Sequence, residues 1–432
     1  MTTPEFPSPT KLTRNHGRVW LALLVTTGLF TLILFPQIRH RLGVLDDDMW
    51  FLDSYAILAA NDAVRQGIDP WQPNPLDVYH RPHIYTRWWF ALGRLGLTRD
   101  DNFLVGGMLV ILFFGTAVLN LAPRSRAELV WHAALILSPP MLLAVNRANN
   151  DLLVFAVIGV GLWIARRPAC VRLAWFAAAV ALATGLKFFP LAAAGAPVVL
   201  RPVRRGIVWA AGGSLVGLLV FASVRHEFAK AVFPVPIGTH VFGASVFWRN
   251  LGWPGRGPMI AALTVLLLGA CWLAWRSKTA GLADECPEGA DGRLAFMAGA
   301  LVLLGCFVAG TSYAYRWVFA LWLAPWLWRQ AWSRLSVAGS RAIARFTIVL
   351  LTAVLWMDGL YCLAVNTLIG PMVPDRLQRW DEFWNLCMQP MVWVLMTLLA
   401  GWVGEALLAT ARDLLGHGDQ RRTAAIAASQ SL

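Results

Sequence analysis

An all-α polytopic membrane protein with about 12 transmembrane helices is what this sequence predicts, on three observations. The 432 residues are 58% hydrophobic and 14% charged, whereas soluble domains carry about a quarter charged residues. The apolar residues come in blocks, such as 21–35, 103–121, 152–165 and 303–309, without the polar faces a soluble helical core would need. The basic residues gather instead in short turns at 123–126, 166–168, 201–205, 275–278 and 329–345, and in the tail from Arg412. That distribution accounts for a net charge of +13 through the positive-inside rule and argues against nucleic acid as a partner.

Lys11, Arg14 and Arg18 precede the first apolar run, and Pro36, Gln37 and Ile38 follow it instead of a small-x-small cleavage site. This reads as an uncleaved first span with the N-terminus inside. The same rule puts both termini in the cytoplasm, with residues 1–432 forming one integral membrane unit. The six cysteines, at 170, 271, 286, 306, 362 and 387, show no metal-type spacing and read as packing residues.

The connection 36–101 is too long for an ordinary loop and lies on the outer face. Ile57, Ala60, Val64 and Ile68 recur at helical spacing from Asp53 until Gly67 and Asp69-Pro70 end the pattern. Tyr85, Trp88, Trp89, Leu92 and Leu95 mark a second amphipathic stretch. Two interfacial helices are therefore expected in this loop.

Candidate chemistry concentrates on the same face. Asp53 opens the first loop helix, where the helix dipole favours an ionised carboxylate; it suits a general base, and helix capping alone would also explain it. The run Asp46-Asp47-Asp48 has oxygen ligands for a divalent metal, or is a solvated turn. Arg147, Lys187, Arg249 and Arg316 sit at span ends, where cations either meet an anion or snorkel to headgroups. As a set they suit a lipid phosphate. Asn146-Arg147-Ala148-Asn149-Asn150-Asp151 holds more amides than one cap needs and suits sugar hydroxyls. In His80-Arg81-Pro82-His83 the proline breaks the helix that would align two metal ligands, so no metal site is expected.

In order along the chain, these segments resemble glycosyltransferase family 87, among the GT-C membrane glycosyltransferases. Phe51-Leu52-Asp53 with Gly67-Ile68-Asp69-Pro70-Trp71 is similar to that family's first outer loop. The segment 146–153 is similar to its Gly-Gln-x-Asn-x-Leu-Leu start of a span, and 185–190 to its Lys-x-x-Pro turn. Phe247-Trp248-Arg249-Asn250 and 312–317 fall where it has a Ser-Trp-Arg loop and a Ser-Trp-x-His-His-Trp segment. Here Arg147 and Asn149 stand where the Gln would be, and Tyr315 and Arg316 replace the paired histidines.

The resemblance implies transfer of a sugar, mannose or another hexose or pentose, from a polyprenyl-phosphate donor to a glycan or glycolipid acceptor, with inversion. It makes 36–101 the catalytic loop at the outer face of a bacterial inner membrane and selects Asp53 as the base over Asp46–Asp48. Lys187, Arg249 and Arg316 would hold the donor phosphate; Asn149, Asn150, Tyr315 and Trp248 would bind sugar or acceptor. Neither a cofactor nor a metal is implied. Two other classes stay open from the residues: a multi-span secondary transporter, and an inactive GT-C-like assembly subunit.

Overall fold

The computed structural model describes residues 12–44, 49–166, 172–200, 202–230, 240–252, 256–277, 290–309, 311–332, 338–369 and 374–430. It is a helical membrane protein whose one described sheet is a two-residue pairing, β1 (Val241–Phe242) antiparallel to β2 (Ser312–Tyr313). The run Asp46–Asp48 lies outside the described residues, as do Cys170 and Cys286.

Among the described residues, six helices are long and apolar enough to cross a membrane: Arg14–Leu34, Arg99–Leu121, Val203–Glu227, Gly292–Ala309, Gly339–Thr367 and Trp380–Leu415. Arg126–Ile136 and Pro139–Asn146 form a bent pair, turned by 50°, that makes a seventh if taken as one span. The break comes at Ser138, with Pro139 starting the second segment where a missing N–H costs nothing. Four shorter apolar helices, Asp151–Ala165, Arg172–Leu186, Phe189–Val199 and Gly257–Cys271, account for much of the difference from the dozen spans expected. Their apolar blocks read as full spans, but Asp151–Ala165 is 15 residues long, or roughly 22 Å.

Aromatic packing joins these segments. Phe155 stacks on Trp322 at 5.0 Å and meets Phe113 edge-on; all three are fully buried. Outward-facing Val208, Leu215, Leu219, Val265 and Leu268 supply the apolar surface that a bilayer solvates.

The first loop helix runs from Leu52 to Arg65 and buries Ile57 and Ala60, as the spacing predicts, although Val64 faces outward. Asp53 does not cap it. Phe51 holds the N-cap position in the left-handed conformation (φ 64°), so the Asp53 side chain is free for other partners. The second expected helix is shorter than its pattern suggests: a 3-10 turn at Arg87–Phe90 followed by Ala91–Arg94. Thr86 and Trp89 are used elsewhere, as helix caps described below, and the chain turns at Gly96 with φ 83°.

Candidate active site

Two helix ends meet at Asp53. The backbone N–H groups of Phe51 and Asp53 donate to the carbonyls of Asn146 and Arg147, each at 2.9 Å. The opening amides of one helix thereby satisfy the closing carbonyls of another, groups that neither helix can pair internally. Asn102 secures the junction, accepting from the Ser54 hydroxyl at 2.6 Å and donating to the Trp50 carbonyl at 3.0 Å. Gly106 lets the Phe51 ring lie against its backbone, since a Cβ there would come within 2.3 Å of that ring.

The rest of the loop docks on the helix Arg172–Leu186. The Thr86 hydroxyl donates to the Gly185 carbonyl and the Trp89 indole N–H to the Leu186 carbonyl at 3.2 Å. These side chains cap carbonyls at the helix end and set the position of Lys187, the next residue. The Trp88 ring covers Gly185 closely, and a Cβ there would fall 2.1 Å from it. Asn61 ties the two loop elements together, accepting from the Gly93 N–H and donating to the Trp89 carbonyl.

The turn between Pro139–Asn146 and Asp151–Ala165 supplies the centre. Ala148 is left-handed (φ 43°), unusual for a residue with a Cβ, and Asn149 and Asp151 point into the protein. Arg147 donates to the Asp53 carboxylate through Nη2 at 2.9 Å and Nε at 3.2 Å, and Asn149 Nδ2 donates to Oδ2 at 2.6 Å. Arg81 Nη1 stands 3.5 Å from Oδ1 and is itself held in a two-point pair with Asp77. Burial alone would push the Asp53 carboxyl up. The charges of Arg147 and Arg81 and the bonds from Arg147 and Asn149 outweigh that and hold it below the usual carboxylate range.

Beside it lies a second carboxylate. Asp151, fully buried, accepts from Lys187 Nζ and takes Arg316 Nη1 at 2.8 Å on each oxygen. Aromatic faces surround the cations. Lys187 lies 5.0 Å from the Tyr85 ring centre and 5.9 Å from that of Tyr315, and Arg316 lies 4.1 Å over Phe189. Of the named groups, four cations (Arg81, Arg147, Lys187, Arg316) face three carboxylates (Asp53, Asp77, Asp151), so the cluster holds one positive charge in excess. Asn150 is fully buried beside Asp151, and its side-chain amide has no hydrogen-bond partner among the described residues.

Of the residues singled out in the sequence, the structure brings together Asp53, Asn149, Lys187, Arg316 and Tyr315, with Asn150 adjoining. Arg249 and Trp248 lie on Ala244–Asn250, where Trp248 packs edge-on against Phe247 and Trp393. His83 turns into an aromatic pocket of Trp71, Tyr85 and Phe90. Among the described residues, no three His, Cys, Asp or Glu side chains gather to hold a metal ion. Sequence reasoning missed Arg81, Tyr85 and the role of Asp151. The spacing of Asp77 and Arg81, one helical turn apart, was the available sign for the first.

Residues 102–285 match the model of glycosyltransferase family 87, in agreement with the resemblance read from the segments 146–153, 185–190 and 247–250. The matched segment includes the 146–151 turn, Lys187 and Arg249, and begins after Asp53. No curated protein matches the chain. Among solved structures, the crystal structure of ArnT from Cupriavidus metallidurans in the apo state is similar, with 15% identity, 88% of this chain and 78% of that chain covered, and a TM-score of 0.35.

Proposed function

We propose that the chain is a membrane glycosyltransferase of the GT-C type, a reading supported by the match of residues 102–285 to the family 87 model, and that it takes its sugar from a polyprenyl-phosphate donor and transfers it with inversion to a hydroxyl acceptor. The site would lie at the outer face of a bacterial inner membrane. One observation carries this reading: a buried, ionised carboxylate, Asp53, stands in one cluster with cations contributed by three other segments. Both requirements of displacement at an anomeric carbon are then present. A carboxylate can accept the acceptor's proton, and fixed cations can stabilise charge appearing on the leaving phosphate.

In the proposed reaction the acceptor hydroxyl takes the place of Arg81, the most distant of the Asp53 partners, and its oxygen attacks the anomeric carbon. The bond to the phosphate oxygen breaks as the new glycosidic bond forms; the proton passes to Asp53 and the electron pair to the phosphate. Lys187 and Arg316 receive that phosphate, with the excess positive charge of the cluster favouring the anion. The unpartnered amide of Asn150 and the ring of Tyr315 are the proposed sugar contacts. No metal or cofactor takes part in the proposed step. Mannose, another hexose or a pentose would each meet the same groups.

The test is Asp53→Asn in purified, reconstituted protein supplied with polyprenyl-phosphate sugar. Transfer is expected to fall by about 10²–10⁴-fold with donor binding retained. Undiminished transfer overturns the role of Asp53, and uptake of substrate into proteoliposomes without transfer overturns the enzymatic reading.

A further inference from the structure

The helix Asp151–Ala165 carries the candidate active site at its first residue, and a second polar site lies at its other end, roughly 22 Å away. A cavity of about 230 Å³ opens there, lined by Arg14, Arg18, Arg124, Arg166 and Arg329 and by one acid, Glu128. The five arginines come from four separate places: the first span, the turn before Arg126–Ile136, the end of Asp151–Ala165, and Ala324–Trp332.

Topology requires basic residues in the turns of this face but does not require them to converge on one cavity. Several are also fixed in place. Arg18 donates to the Leu119 carbonyl at 3.0 Å, Arg166 to the Asn120 carbonyl at 3.1 Å and Arg329 to the Pro325 carbonyl at 3.0 Å. Arg18 Nε is buried with no hydrogen-bond partner among the described residues. Glu128, with one oxygen accepting from the Arg124 backbone N–H at 2.7 Å, sets a single negative charge against the five arginines and leaves the lining strongly positive.

Planar guanidiniums held in position match phosphate oxygens through paired N–H donors. The cavity is several times the ~30 Å³ share of a water molecule, which leaves room for a phosphate group. We infer that this pocket is a phosphate-binding site distinct from the sugar-transfer centre, taking either the headgroup phosphate of an anionic phospholipid or free phosphate. Basic pockets between helices at a membrane's cytoplasmic side bind such headgroups.

The test uses the full chain, delipidated and returned to mixed micelles of phosphatidylglycerol and phosphatidylethanolamine, with bound lipid read by native mass spectrometry. Retention of one phosphatidylglycerol is expected, reduced at least about tenfold, or roughly 1.4 kcal/mol, in Arg14→Gln/Arg18→Gln. The surface control Arg94→Gln should bind as the parent does. Inorganic phosphate is titrated in parallel, with the thermal midpoint as readout. Stabilisation by phosphate alone, lost in the double variant, assigns the free anion as ligand. Because the double variant removes an interhelical bond, Arg18→Lys is included; it keeps the charge and should bind between parent and double variant. Equal lipid retention in all variants, or neither lipid nor phosphate bound by the parent, overturns the inference.

Discussion

Asp53 and Arg147 hold each other twice: the Asp53 N–H donates to the Arg147 carbonyl at 2.9 Å, and the Arg147 guanidinium donates back to the Asp53 carboxylate at 2.9 Å. The backbone bond sets where the carboxylate stands, while the side-chain bond sets its charge. Arg147→Gln should therefore leave the loop docked but remove the charge that offsets the effect of burial. The Asp53 pKa, now held below the usual range, should rise. Activity that depends on ionised Asp53 is lost as pH falls through its pKa, so the acid limb of the pH–rate profile should move to higher pH in the variant. A limb that stays where it is would mean that Asp53 does not titrate in the rate.

Asp151 is the counter-charge for two buried cations, Lys187 and Arg316. Asp151→Asn should leave both uncompensated, a change that typically costs about 3–5 kcal/mol when one partner of a buried ion pair is removed. Denaturant unfolding in detergent measures it. If the midpoint of Asp151→Asn lies within error of the parent's, the pairing contributes nothing to stability.

Much of this site was legible in the sequence, because a polar residue among apolar ones is conspicuous. Lys187 between Leu186 and Phe188, the amides of the 146–151 turn, and Arg316 all stood out that way. Their pairing did not. Asp151 is 36 residues from Lys187 and 165 from Arg316, and no local spacing encodes such contacts. From the residues alone Asp53 could be a general base or a helix cap, yet the cap position belongs to Phe51 and the partners of Asp53 lie in the 146–151 turn. The span count is less legible for a similar reason. Among the described residues six helices are long enough to cross a membrane, and Asp151–Ala165 is as apolar as these and differs from them in length.

His83 gives the outer loop a pH dependence of predictable sign. Burial pushes its imidazole down to about 4, with the bond to the Thr86 carbonyl opposing. The folded loop thus binds fewer protons than the unfolded chain, whose histidine titrates near 6.5. Stability is fully present above about 6.5 and falls as pH drops toward 4, by about 3 kcal/mol in total. Thermal midpoints between pH 7 and 4 should show this slope, and His83→Gln should flatten it. Parallel slopes in the two proteins would place the acid sensitivity elsewhere.

Gly185 tests whether the loop's seat shapes the site. The Trp88 ring leaves no room for a side chain there, since a Cβ would lie 2.1 Å from it, and the Gly185 carbonyl also accepts from Thr86. Gly185→Ala should force the indole off its seat and strain the Thr86 bond, an overpacking cost of about 1–3 kcal/mol. Because Lys187 follows two residues later and lies near Tyr85, the displacement should reach the cation cluster as well as the loop. The expected result is a lower thermal midpoint together with faster proteolysis within 77–101, while cleavage in other segments keeps the parent's rate. Loop cleavage at the parent's rate would show that the seat tolerates a methyl group and that Gly185 does not control loop docking.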